Sequence, residues 1–137
     1  MTGSDLFGAN VQGACLSGAH LNFANLAGAD LGNAKLDHAE LWWAPLQGAC
    51  LRSASLYRAH LDEARLCAAD VQKEVLESGH LTEADLRGAN FGNSDPCGAH
   101  LVGANVYGAN VERADLRDFT PPSRGFLPPG STRPKAA

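Results

Sequence analysis

The chain has 137 residues, 45% hydrophobic and 19% charged, with a formal net charge of −4. Up to Asp118 it holds 15 acidic and 8 basic side chains, whereas residues 119–137 hold Arg124, Arg133 and Lys135 and no acid. The acidic part carries no basic nucleic-acid footprint, so direct nucleic-acid binding is not expected, and no apolar run approaches the roughly 18 residues of a membrane span.

The opening Met1-Thr2-Gly3-Ser4-Asp5 does not read as a secretory leader. The four cysteines, Cys15, Cys50, Cys67 and Cys97, fall at spacings that suggest neither a disulfide framework nor a thiolate cluster. Reduced thiols in a cytoplasmic protein are the expectation.

Organisation comes from a period of five. Stepping from Leu6 by five reaches Val11, Leu16, Leu21 and so on to Leu116, and 22 of these 23 central positions are Leu, Val or Phe, with Pro96 the exception. Two residues earlier runs a small-residue register, Ala at 19 of the 23 positions and Ser4, Glu74, Gly79 and Ser94 at the others. Five matches neither the period of a helix nor that of a strand. The chain must therefore turn at each repeat. A square coil satisfies the pattern, with one pentapeptide per side and the central and Ala side chains pointing inward. Coils stack at about 4.8 Å through backbone hydrogen bonds, and a narrow interior accounts for the alanines.

Phrases such as Ala24-Asn25-Leu26-Ala27-Gly28 followed by Ala29-Asp30-Leu31-Gly32-Asn33 resemble the pentapeptide repeat family, with its Ala-(Asp/Asn)-Leu-X-X units. The resemblance covers residues 4–118 and implies an all-β fold, a right-handed quadrilateral β-helix. The arithmetic of the period gives about six coils and a rod roughly 27 Å long.

Taken in chain order, the first coil, Ser4 to Phe23, starts almost at Met1 and leaves an exposed edge. A partner, a second subunit joined through the coil end, or the polar Asp5 and Asn10 would have to manage that edge. Residues 20 apart then stack, which sets Phe23 under Trp43 and beside Trp42. These outward aromatics are either a protein-binding patch or corner side chains packed on their own coil. Phe7, Tyr57 and Tyr107 are scattered. Gly8, Gly28, Gly48, Ala68, Gly88 and Gly108 share a column, which predicts corners with positive φ of the type II kind. Corners holding Asn33, His38, Arg58, Glu63 or Lys73 are expected to differ.

A further outward column holds His20, Glu40, His60, His80 and His100. His60, His80 and His100, in successive coils, could share a divalent cation such as Zn²⁺ or Ni²⁺. Three ligands in line do not make a tetrahedron, however, and ladders of like side chains are ordinary in β-solenoids. Stacked imidazoles should resist protonation together, so acid should loosen this face.

Between Val71 and Gly79 the frame survives but the phrase does not. Glu74 falls in an inward Ala slot, and one coil later Ser94 and Pro96 disturb the same side. A bulge that releases Glu74 to water is expected, because an unpaired carboxylate in the core is costly and Pro96 removes a coil-to-coil donor. After Asp118 the period stops, and residues 119–137 hold five of the seven prolines, an extended tail partly disordered and partly able to cap the last coil.

No catalytic constellation follows from these residues. The glycines recur with the coil and open no helix, there is no Cys-X-X-Cys, and a Glu and a Ser alone are not an active site. Neither an enzyme nor a cofactor is expected. The solenoid architecture, with the Trp42 and Trp43 patch, fits a rigid scaffold that presents its sides to a protein partner whose identity the sequence does not give. The resemblance implies a different role: some pentapeptide repeat proteins are similar to duplex DNA in size, shape and negative charge, bind DNA gyrase and confer quinolone resistance. The central slots here are mainly Leu, where those gyrase binders favour Phe.

Overall fold

The computed structural model describes residues 1–66, 68–71, 79–91, 100–102 and 104–110. Glu74, Ser94 and Pro96, the cysteines Cys67 and Cys97, Lys73 and the Pro-rich stretch 119–137 lie outside the described residues.

The chain winds as a β-solenoid with four sides per coil. Residues preceding central positions form parallel bridges with their counterparts 20 residues on: Asp5 with Asn25, Asn10 with Asp30, Cys15 with Lys35 and His20 with Glu40, and so on to Asn90 with Asn110. In the order of those four bridges, we call the sides first to fourth. No helix occurs among the described residues, and none is long and apolar enough to cross a membrane.

The pentapeptide forms this coil because it uses its backbone donors in different directions. In the repeat around Leu26, the Leu26 N–H donates forward to Pro45 O at 2.8 Å and the Gly28 N–H forward to Gln47 O at 2.9 Å. The Asp30 N–H donates backward to Ala9 O at 2.9 Å, and the Ala29 N–H closes the corner on Leu26 O at 3.0 Å. One donor remains, on the residue after the central position. An Asp or Asn side chain two residues earlier takes it: Asn25 Oδ1 accepts from Ala27 N–H at 3.3 Å, Asp30 Oδ1 from Gly32 N–H at 3.0 Å, and Asn105 Oδ1 from Tyr107 N–H at 3.2 Å. The Asp/Asn slot is thus a backbone cap on the first and second sides, whereas on the fourth side the equivalent Trp42 and Thr82 N–H groups donate to Asn22 Oδ1 and Asp62 Oδ1 of the preceding coil.

Central and Ala side chains fill the interior. Leu21, Leu26, Leu31, Leu36, Leu41, Leu46, Leu51, Leu56, Leu61, Leu66 and Leu81 are fully buried, each contributing about 1.5–3 kcal/mol of transfer free energy. The intervening alanines are buried too, and Leu6, Val11 and Leu16 of the first coil are only partly covered. That difference follows from having one neighbouring coil instead of two.

The corners correct one expectation. Every described corner residue has positive φ, and not only the glycines: Asn33 at 57°, His38 at 58°, Arg58 at 53° and Glu63 at 56° match Gly28 at 66° and Ala68 at 56°. The physical reason is the shared hydrogen-bond scheme. Each corner must close an i to i+3 bond and still aim the next-coil donor of its third residue upward, as His38 N–H does to Tyr57 O at 2.9 Å. A type II corner provides both, so the coil imposes the left-handed conformation on side chains that ordinarily avoid it.

Candidate functional site

The fourth side carries both clusters that the sequence singles out. Its buried centres are Leu21, Leu41, Leu61, Leu81 and Leu101. Around each, three outward positions form columns: the residue before the centre, the residue after it, and the corner. The first column reads His20, Glu40, His60, His80, His100; the second Asn22, Trp42, Asp62, Thr82, Val102; the corner begins Phe23, Trp43, Glu63, Glu83.

Coil spacing makes the aromatic cluster. Phe23 and Trp43, one above the other, stack with ring centroids 5.2 Å apart and planes 10° from parallel. Trp42 meets Trp43 edge-on at 6.2 Å. The Trp43 indole Nε1–H donates to Glu63 Oε2 at 2.7 Å, fixing the ring from the next coil. These rings pack on one another, yet Phe23, Trp42 and Trp43 remain 56%, 39% and 43% exposed, so much of their surface stays in water. Tyr57, by contrast, is covered by the His38 ring edge and by the Arg58 guanidinium 5.1 Å above it.

The histidine column splits into two parts. At one end His20 Nδ1 lies 2.7 Å from Glu40 Oε2, which also accepts from Asn22 Nδ2 at 2.9 Å. The His20 hydrogen bond, then that from Asn22, holds the Glu40 carboxyl below its ordinary value against the opposing effect of burial, with the charge fields of His20 and His60 adding to the lowering. At the other end His60 stacks on His80 at 4.7 Å and His80 on His100 at 5.3 Å, the planes 15° and 20° from parallel. Burial first, then the neighbouring His60 and His100, pull His80 below the ordinary imidazole value, with Asp62 opposing.

Two features of this side escaped the column-by-column reading. Trp42 meets the His60 ring edge-on at 6.0 Å, so the aromatic and histidine clusters form one continuous surface. Asp62 brings a carboxylate oxygen to 3.9 Å from His60 Nδ1. The ligand atoms of His60, Asp62 and His80 lie within 4.8 Å of one another, a set that leaves out His100. The signal was present in the sequence as His60-Leu61-Asp62, two outward residues flanking one buried centre.

The family model for pentapeptide repeats matches residues 1–22, 14–52 and 80–118, in eight copies. No curated protein matches the sequence. Among solved structures, a trypsin-treated form of QnrB1, a plasmid-mediated fluoroquinolone resistance protein, is 27% identical with a TM-score of 0.68; the match covers 80% of this chain and 58% of that one. HetL, a pentapeptide repeat protein involved in heterocyst differentiation regulation from the cyanobacterium Nostoc, is 28% identical with a TM-score of 0.43, covering 81% of this chain and 64% of that one. Rfr23, a pentapeptide repeat protein from the cyanobacterium Cyanothece, is 26% identical with a TM-score of 0.37, covering 83% and 84%. This chain therefore spans less than two thirds of the length of the first two.

Proposed function

The chain belongs to the pentapeptide repeat family, and on that premise we propose that it is a non-enzymatic scaffold that binds a protein partner through its fourth side. The proposed body is a right-handed quadrilateral β-helix over residues 4–118, of about six coils, followed by the tail 119–137. The observation that supports the binding role is the exposed, stacked Phe23–Trp43 pair with Trp42 beside it. Rigid aromatics of this kind lose little side-chain entropy on binding and are enriched at interface centres. A cytoplasmic setting fits the free thiols of Cys15 and Cys50.

The test is cross-linking of the full chain in its host, comparing wild type with a variant carrying Trp42→Ala and Trp43→Ala. Circular dichroism would verify that the variant retains the solenoid. The expected result is loss of the captured partner. Undiminished capture by the double variant would reject the fourth side as the interface.

A second reading draws on the QnrB1 likeness: the acidic solenoid acts as a duplex-DNA mimic on DNA gyrase. A homodimer through a coil end would lengthen the rod for that purpose. The reading comes second because acids and bases alternate on the surface, as in Arg87 with Asp85 at 2.7 Å and Arg52 with Asp70 at 3.7 Å, which interrupts an acidic stripe. It predicts inhibition of gyrase supercoiling that weakens as salt rises. Absence of inhibition at low salt would remove it.

A further inference from the structure

The coil places a chelating set on the fourth side that no linear reading of the histidine ladder contains. His60 and His80 are bridged backbone to backbone, and their rings stack near-parallel at 4.7 Å. Asp62 stands just past the buried Leu61, and its two oxygens are divided in use. Oδ1 accepts the Thr82 N–H at 3.2 Å, which orients the carboxylate in the way an outer hydrogen-bond partner orients a metal ligand. Oδ2 is turned toward His60 Nδ1, 3.9 Å away.

Two imidazoles and one carboxylate oxygen form a donor set of the kind zinc takes when three protein ligands leave a fourth position for water. Bonds of about 2.0–2.1 Å require the donors to close to roughly 3.3 Å from one another. From separations within 4.8 Å, the side chains would have to rotate so that the donors close by up to about 1.5 Å. His20 is engaged by Glu40 at 2.7 Å. Beyond His100, the position equivalent to Asp62 is Val102, which offers no donor.

We propose that His60, Asp62 and His80 form a Zn²⁺ site, triangular rather than in line, with His100 and His20 outside it. The site stands independently of the protein-binding reading, although the two share a face through the Trp42–His60 contact.

The experiment is isothermal titration of the full chain with ZnCl₂ at neutral pH, on wild type and four surface variants whose folds are verified by circular dichroism. One equivalent of Zn²⁺ is expected on wild type. His80→Ala and Asp62→Asn should each weaken binding by at least about tenfold, and His100→Ala and His20→Ala should leave it unchanged. Absence of stoichiometric uptake overturns the proposal. So does uptake that survives His80→Ala, which would place the ion on the thiols or elsewhere. A loss with His100→Ala equal to that with His80→Ala, while Asp62→Asn has no effect, overturns the triangle in favour of an in-line ladder.

Discussion

Gly28 isolates the conformational demand of a single corner. A Cβ built there meets nothing within 4 Å, while φ is +66°, so an alanine is opposed by backbone conformation and not by a clash. Gly28→Ala should therefore destabilise the protein by about 1 kcal/mol, read as a lower urea midpoint at unchanged slope. An unchanged midpoint would mean the corner relaxes to negative φ. The same reasoning shows why corner geometry was hidden in the sequence while corner position was not. Glycine announces positive φ at Gly8 or Gly48, but His38, Arg58 and Glu63 carry no such mark, because the constraint comes from the stacked coils and overrides the residue's own preference. The Asp/Asn slot was legible as a pattern, and its purpose emerged only with the Gly32 N–H bonded to Asp30 Oδ1.

The fourth side responds to acid as an element. His80 resists protonation in the folded coil, chiefly through burial and then through the flanking His60 and His100. The unfolded chain has no such resistance and takes up the proton near the ordinary imidazole value of 6.5. Between the two pKa values the unfolded state binds more protons, so stability rises with pH and falls as the solution is acidified. Glu40 acts in the same direction lower on the scale, since its carboxyl is held down by the His20 and Asn22 hydrogen bonds and that support is lost as pH falls through its folded pKa. The thermal midpoint should decline from pH 8 toward pH 5, and His80→Ala should flatten the decline. An equally steep profile in the variant would place the titrating group elsewhere. This side also shows what sequence reading can reach. A step of 20 residues found the His60, His80 and His100 ladder and the Phe23–Trp43 pair, because both run along columns. Asp62 lies across the columns, and the Trp42–His60 contact depends on ring orientation, which no periodicity encodes.

At the scale of the molecule, stability accumulates between neighbouring coils and not around a single centre. Leu46 has a coil on each side and is 1% exposed, whereas Leu6 is only partly buried. Leu46→Ala should cost about 2–5 kcal/mol, the range of a cavity in a close-packed interior, and Leu6→Ala distinctly less. Equal losses, measured by chemical denaturation, would argue against nearest-neighbour stabilisation. The core was the most legible part of the fold, since nearly every repeat offers the same inward pair of a large and a small apolar residue.

That uniformity separates two kinds of information in the chain. Where the register is unbroken, the interior repeats with each pentapeptide and cannot distinguish one side from another; the surface repeats only with the full coil of bridges 20 residues apart. Removing one pentapeptide between His60 and His80 would leave every leucine facing inward and yet carry His80 a quarter turn around the axis, onto a neighbouring side. A lesion of that kind is silent to folding and erases the surface, whereas removal of a whole coil shortens the rod and returns the faces to alignment. Drift in length among such chains is therefore filtered by what the sides present long before it is felt by the core.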